Sequence, residues 1–209
     1  DFVRFNHGRV RQPLSVTQRY LALTLIQDQR QQRVTFSLTG NKATDCELLT
    51  QQLGVMRYQL PNLPIDPYLL YAIDSCDSDQ VRRGVLPTID QAIGDIVDQA
   101  SGLDLVGILS SGPIYRGFAN SLGQRNWHEV DAFLFDWSIY QVADKAIKMS
   151  YSGTHWDRLQ LRSRIESART QLPYLEKAAI NIEPGEYPAY LSAAAVNELL
   201  GLLNWSGFS

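Results

Sequence analysis

The first forty residues alternate apolar and polar side chains in the manner of β-strands. Residues 2–5 precede the turn residues Asn6-His7-Gly8, so the pattern predicts a hairpin whose second strand lies within 10–16. Residues 15–26 are apolar on both faces, which is typical of a central strand, whereas 33–38 alternate strictly. The pattern therefore predicts an antiparallel meander at the start of the chain.

Three later segments place apolar residues three and four positions apart, which is the spacing of an amphipathic helix. The first begins at the capping-box pattern Thr44-Asp45-Cys46-Glu47. The second spans about 81–100 and begins either behind the cap residues 77–79 or at Pro87. The third spans 157–172. These helices are expected to pack against the predicted sheets.

A long strand in the second half of the chain has one strongly aromatic face, which carries Phe133, Phe135 and Trp137. Two interpretations are open. The aromatic stripe either faces a core beneath the helices or forms an exposed surface for a peptide or a subunit partner. The strands of this region are predicted at 103–109, 114–119 and 126–140, with 145–151 fitting either a strand or a short helix.

The last segment, 183–209, combines a turn, a short strand at 187–191 and an apolar helix. The strand carries Tyr187 and Tyr190, which are candidates for contact with a peptide or a partner protein. Trp205 and Phe208 lie at the end of the helix, and we expect both to lack cover within their own chain. They are therefore further candidates for partner binding. One side of the helix carries Val196, Leu199, Leu200 and Leu203.

Composition and charge narrow the possible partners. The net charge of -3 argues against nucleic acid, because binding phosphates requires a surplus of Lys and Arg. No apolar run is long enough to span a membrane, and no secretory signal pattern is present. Cys46 and Cys76 are the only cysteines and belong to no metal or redox motif, which is typical of thiols in a reducing compartment. The expected location is the cytoplasm.

The sequence contains no self-contained catalytic motif. His7, His128 and His155 are isolated, and no pair has the spacing of an HExxH zinc motif. The GxSxG, Walker and GxGxxG patterns are absent as well. We therefore assign no catalytic residue and no metal ligand. A small-molecule enzyme remains as an alternative, and it would require a deep pocket lined by Arg116, His128 or Asp136.

Several stretches of the sequence carry a family resemblance. They are residues 2–40, GLDLVGILSSG at 102–112, KAIKM at 145–149 and, most specifically, PGEYPAYLSAAAVNELLGLL at 184–203. In these stretches the chain resembles the TldD/PmbA family, whose members are also described as modulators of DNA gyrase or as peptide-maturation proteases. The resemblance covers nearly the whole chain but includes few distinctive motifs.

The resemblance implies how the chain is divided. Residues 1–100 would form an N-terminal α+β lobe, and 101–183 a central strand-rich lobe with a helix. Residues 184–209 would open a C-terminal domain that is absent from this chain, which begins at Asp1 without Met. The expected fold class is α+β, with antiparallel sheet units and packed helices, truncated before that domain.

The resemblance also indicates which branch of the family the chain is similar to. In the TldD branch the last helix carries HExxxH, whose two His residues bind zinc and whose Glu serves as general base. In this chain those places fall on Gly201, Leu202 and Ser206, none of which has the required chemistry. The departure implies the PmbA/TldE-like branch, which partners the zinc-bearing subunit. Zinc is then expected only in the TldD-like partner.

The predicted function follows from this resemblance. The chain is expected to be the N-terminal and central part of an accessory subunit of a cytoplasmic metallopeptidase, without catalytic activity of its own. Its expected partners are a TldD-like subunit or further copies of itself, and an extended peptide bound by β-strand addition. No nucleic acid or membrane partner is expected. The alternative is a non-enzymatic interaction module that regulates a protein such as DNA gyrase.

Overall fold

The computed structural model describes residues 1–143 and 145–207, apart from the side chain of residue 206. Within these residues eight strands and four α-helices confirm the predicted α+β class. The strands are β1 (Phe2–Asn6), β2 (Arg9–Leu14), β3 (Tyr20–Gln27), β4 (Arg30–Ser37), β5 (Ser78–Arg82), β6 (Asp104–Ala119), β7 (Arg125–Val142) and β8 (Lys145–Gly153). The helices are α1 (Lys42–Gln59), α2 (Ile89–Gln99), α3 (Arg158–Leu175) and α4 (Ala193–Ser206), with a short 3-10 helix at Leu60–Asn62.

Six strands form one sheet in the order β2-β1-β6-β7-β5, and β8 pairs with β7 as a further neighbour. The β1–β2, β1–β6 and β7–β8 pairs are antiparallel. The predicted first hairpin is β1–β2, and its turn residues His7 and Gly8 both have positive φ, at 50° and 66°. The ambiguous segment 145–151 lies within strand β8.

The main core lies where α2 and α3 pack with the sheet. Strand β7 alternates, so Phe133, Phe135 and Trp137 all point inward and are almost fully buried. Of the two interpretations of the aromatic stripe, the core is therefore the one that the structure shows. Ile139 of β7 belongs to the same cluster. The other strands, helix α2 with its C-cap residue and helix α3 contribute Val3, Phe5, Leu105, Leu109, Tyr151, Ala92, Ile96, Ala100, Leu161, Ile165, Ala168 and Leu172.

The predicted opening meander is wrong in one respect. Strand β3 pairs only with β4 among the described residues, and together they form a separate two-stranded sheet. Its side chains alternate between half-buried and exposed positions, so it is not a central strand. The exposed face contains Ala22 and Thr24, which require little cover. Helix α1 contacts β3, and the 3-10 helix contacts β4.

Helix α1 begins three residues earlier than the capping box predicted. The cap is Asn41, whose Oδ1 accepts hydrogen bonds from the backbone N–H groups of Ala43 and Thr44 at 3.0 and 3.3 Å. Asp45 instead faces the preceding loop, where its carboxylate accepts hydrogen bonds from Thr39 N and Oγ1, both at 2.8 Å, and from Gly40 N at 3.0 Å. The acidic residue therefore stabilises the loop that leads into the helix.

This carboxylate makes a pH-dependent contribution to stability. The Thr39 backbone N–H, with help from the Thr39 hydroxyl, Gly40 N–H and Arg19, lowers the pKa of Asp45 from its ordinary value of 3.8. A lowered folded-state pKa stabilises the fold above the unfolded pKa, and the contribution is lost as the pH falls through the folded value. Asp45→Asn is thus expected to lower the urea midpoint near neutral pH but to have little effect in strong acid.

The control for this experiment is Glu47→Gln, which removes an equal charge from an exposed position on the same helix. Urea titrations of the wild type and both variants, repeated over a range of acid pH, measure the effect. A difference between wild type and Asp45→Asn that stays constant with pH would contradict the assigned role.

The segment before α2 is a strand rather than a helix. Residues 78–82 form β5, and α2 begins only after Thr88. Thr88 and Gln91 form a reciprocal capping box, with Thr88 Oγ1 accepting from Gln91 N at 3.3 Å and Gln91 Oε1 accepting from Thr88 N at 3.0 Å. Of the two predicted starts, the later one near Pro87 is closer to the observed helix.

Strand β6 also differs from its prediction, because it joins the two strands predicted at 103–109 and 114–119 without a turn between them. Gly112 takes a φ of +148° at this point, a conformation that L side chains rarely adopt. The strand is therefore a single element of 16 residues.

The chain divides into two compact units. Unit 1 comprises residues 1–14, 82–114 and 129–209, and unit 2 comprises 15–81 and 115–128. Both are assembled from segments that are separated in the sequence. The predicted lobes at 1–100, 101–183 and 184–209 are continuous segments of the sequence, and that division stays a prediction.

Candidate functional site

The candidate site lies in unit 2, where residues 78–81 of β5 accompany the end of β6 and the start of β7. Strand β5 stands last in the order of the sheet, and no further strand flanks it among the described residues. All five of its residues are exposed. An outer strand of this kind has backbone N–H and C=O groups that can pair with another chain.

Hydrogen bonds from β7 hold the start of β5 in position. Asn126 Nδ2 donates to Ser78 Oγ at 2.8 Å and to the Cys76 carbonyl oxygen at 2.9 Å. Arg125 N donates to Asp77 Oδ1 at 2.7 Å. These three hydrogen bonds hold the entry to β5 at a defined register against β7.

The turn that joins β6 to β7 is closed by Asn120. Its Oδ1 accepts hydrogen bonds from the backbone N–H groups of Leu122 and Gln124, at 3.1 and 3.0 Å, and Gly123 has a φ of +100°. The turn lies between the strands that the sequence predicted at 114–119 and 126–140. It keeps the ends of the two strands next to each other.

A groove of about 270 Å³ runs across these strands. Alternation along each strand, together with the Asn126–Ser78 hydrogen bond, places one set of side chains on the same face. Arg116 and Phe118 come from β6, and His128 comes from β7. The complete lining is Ser78, Gln80, Arg116, Gly117, Phe118, Asn126, Trp127 and His128.

Of three exposed aromatic rings in this part of β6 and β7, Phe118 and Trp127 line the groove and Tyr115 does not. Phe118 is 55% exposed, Tyr115 54% and Trp127 42%, so each ring presents a large area to solvent. The Tyr115 and Trp127 ring centroids lie 5.9 Å apart. Trp127 lies close to Gly117, where an added Cβ would be 3.2 Å from the indole ring. Aromatic side chains of this kind are enriched at interaction surfaces.

Among the described residues, no carboxylate lines the groove. Arg116 has no ion-pair partner among the described residues, and the His128 ring has no hydrogen bond there. Of the acids next to the lining residues in the sequence, Asp77 accepts from Arg125 N and Glu129 pairs with Arg83. Asp79 lies between Ser78 and Gln80, so strand alternation directs it to the opposite face of β5, and it does not line the groove. The groove therefore combines an unpaired guanidinium, an imidazole and a phenyl ring.

Sequence reasoning only partly found this groove. Arg116 and His128, two of the three residues named for a small-molecule pocket, do line it, whereas Asp136 lies in unit 1 and faces Lys148 at 4.0 Å. Phe118 and Trp127 were missed. The sequence pattern that could have found them is an aromatic residue near the facing ends of the strands predicted at 114–119 and 126–140.

The candidate residues of the aromatic stripe and the last segment lie elsewhere. Phe133, Phe135 and Trp137 are buried in the main core, which withdraws them from any partner. Trp205 is 87% exposed, and Phe208 lies outside the described residues. Tyr187 and Tyr190 are exposed, and the Tyr187 hydroxyl donates to the Glu183 carbonyl oxygen at 2.9 Å.

The prediction of a strand at 187–191 is wrong. The structure assigns no regular element there, so Tyr187 and Tyr190 lie on irregular chain. A strand requires a hydrogen-bonded neighbour, and no strand pairs with this stretch among the described residues. Pro188 also lacks a backbone N–H to donate.

The other two histidines have local partners. His7 Nδ1 lies 2.7 Å from Asp104 Oδ1, and His155 Nδ1 lies 3.0 Å from Thr154 Oγ1. Across 1–143 and 145–207, no three His, Cys, Asp or Glu side chains are grouped to hold a metal ion. In the same part of the chain, no helix has the length and apolar character needed to cross a membrane.

Comparisons with other proteins add no relative. No family model, curated protein or solved structure matches this chain. The resemblance to the TldD/PmbA family therefore rests on the sequence stretches quoted above.

Proposed function

We propose that the chain is a PmbA/TldE-like accessory subunit that binds an extended peptide for a TldD-like zinc peptidase of the cytoplasm. The observation that carries this proposal is the exposed outer strand β5 beside an aromatic groove. The accessory role itself rests on the family resemblance and on the residue types at Gly201, Leu202 and Ser206, where the TldD branch has its zinc motif.

Strand addition explains how β5 and the groove would act together. A peptide strand lies about 4.8 Å from the strand it joins, so the backbone of β5 supplies the hydrogen bonds. Alternate side chains of the peptide then point toward the face that carries Ser78 and Gln80. That face continues into Phe118 and His128. Affinity comes from the main chain, and selectivity comes from the groove.

An N-methyl scan tests the strand addition. Each amide of a labelled, unstructured peptide of about ten residues is methylated in turn, and binding is followed by fluorescence anisotropy. Only every second amide of an added strand faces its neighbour, so affinity should fall about fivefold at alternate positions and change little between them. Equal losses at all positions, or none, would contradict strand addition.

A pair of variants tests the groove independently. Phe118→Ala removes an exposed ring that lines the groove, whereas Leu122→Ala removes a similarly exposed apolar side chain from the adjacent turn, outside the lining. Phe118→Ala is expected to weaken peptide binding, and Leu122→Ala is expected to leave it unchanged. The accessory role is tested by assaying the chain alone, which should show no chelator-sensitive peptide cleavage.

A second function, regulation of a protein partner such as DNA gyrase, is favoured by helix α4. Its apolar side chains are unusually exposed, with Leu200 at 55% and Trp205 at 87%. Exposed apolar helices of this kind commonly mark protein interfaces. Recovery of a zinc-bearing TldD-like protein with the chain from extract would support the accessory role, and recovery of gyrase would support the regulatory role. A homo-oligomer would appear as self-association of the purified chain.

A further inference from the structure

The groove of unit 2 contains two side-chain hydrogen-bond donors, Arg116 and His128, which strand addition to β5 does not use. The guanidinium of Arg116 offers several N–H donors, and the imidazole ring of His128 can donate a hydrogen bond as well. Neither side chain has an ion-pair or hydrogen-bond partner among the described residues, although both line the same cavity. Two donors are thus available in one groove.

We propose that Arg116 and His128 form a carboxylate-binding subsite for the peptide. This inference rests on the proposed peptide-binding function, and it specifies which peptides the site selects. The guanidinium matches the two oxygens of a carboxylate in a fork geometry, and a hydrogen bond to a charged group is stronger than one between neutral groups. The phenyl ring of Phe118 lies in the same groove and covers an apolar side chain next to the bound carboxylate.

The charge distribution supports an anionic ligand. The whole chain carries a net charge of -3, yet none of the acidic residues that the structure describes lines the groove. Asp77 precedes the lining residue Ser78 and is bonded by Arg125 N, and Glu129 follows His128 and is bonded by Arg83. Asp79 alternates to the opposite face of β5 from Ser78 and Gln80. A carboxylate that enters the groove therefore meets a donor pair and, among the described residues, no carboxylate in the lining.

The size of the groove favours part of a peptide over a small metabolite. Its volume is about 270 Å³, which is below the range of about 300–1,000 Å³ that is usual for small-molecule sites. The groove also contains Ser78 and Gln80 of the outer strand, so a chain added to β5 places its side chains or its terminus over it. The carboxylate can come from the peptide C-terminus or from an Asp or Glu side chain.

The test uses four versions of one labelled peptide, which combine a free or amidated C-terminus with an internal Glu or Gln. Each is titrated against the wild type, Arg116→Gln, His128→Gln and the control Arg125→Gln. Arg125 carries the same charge on the same hairpin but does not line the groove. Arg116→Gln should weaken the carboxylate peptide on the order of tenfold and leave the peptide without either carboxylate unchanged.

The outcomes separate the two proposals. Sensitivity to amidation identifies the C-terminal carboxylate, and sensitivity to Glu→Gln in the peptide identifies the side chain. If all four peptides bind equally to wild type and to Arg116→Gln, the subsite is overturned while peptide binding stands. If none binds to the wild type, the proposed function and the subsite both fail. An equal loss with Arg125→Gln would show general charge attraction and would also overturn the subsite.

Discussion

Gly84→Ala is expected to destabilise the protein by about 3 kcal/mol, because the added methyl group has no space. A Cβ at this position would lie 2.7 Å from the Asp131 carbonyl oxygen and closer still to that of Thr154. Both obstacles are backbone atoms, so a rotamer change cannot relieve them. Val85 N donates to Thr154 O at 2.7 Å and Trp156 N donates to Val85 O at 3.0 Å, which fixes the two segments together.

The matched control is Gly94→Ala. Gly94 lies in helix α2, and an added Cβ there would meet no atom within 4 Å. Alanine in a helix interior is more favourable than glycine by up to about 1 kcal/mol, so this variant should be slightly more stable than the wild type. Urea or guanidinium midpoints measure both effects. Similar midpoints for the two variants would refute the close approach at Gly84.

Phe135→Ala is expected to cost about 3–5 kcal/mol, the usual range for truncating a buried phenylalanine. The side chain is 0% exposed. It meets Phe5 edge to face at 5.7 Å and stacks with Trp137 at 6.0 Å. The variant would leave a cavity in the main core between strands β1 and β7.

The neighbouring Leu134→Ala is the control. Leu134 lies on the opposite face of β7 and is 48% exposed, so its truncation should cost less than about 1 kcal/mol. Thermal or denaturant unfolding of both variants measures the difference. If the aromatic stripe were an interface instead of a core, Phe135→Ala would leave the stability of the isolated chain nearly unchanged.

The alternation of apolar and polar residues predicted most of the strands, because this pattern is visible in short stretches of sequence. The pattern could not predict which parts of a strand are buried beneath a helix. On β7, Trp127 and Phe133 belong to the same alternating series, yet Trp127 is exposed and Phe133 is buried. Cover depends on where helices α2 and α3 pack, and that information lies in distant segments of the sequence.

Local capping signals were ambiguous for a similar reason. Asn41 and Thr44 are both good cap residues, and the structure uses Asn41 because Asp45 bonds to the loop before the helix. The groove was predictable only in part, since Arg116 and His128 are far apart in sequence and the hairpin brings them together. The strand at 78–82 was missed because its partner, β7, lies more than forty residues away.

The pairing of β1 with β6 has a consequence for folding during synthesis. Phe2 pairs with Ser110, so Val3 and Phe5 remain without cover until β6 has emerged. The core also includes Leu172 of α3, so it closes only after α3 has been made. Such distant pairing slows folding, whereas the local β3–β4 hairpin can form early. Val3 and Phe5 of the nascent chain thus stay exposed until β6 and α3 have been made, and a chaperone that binds apolar segments would protect them during that interval.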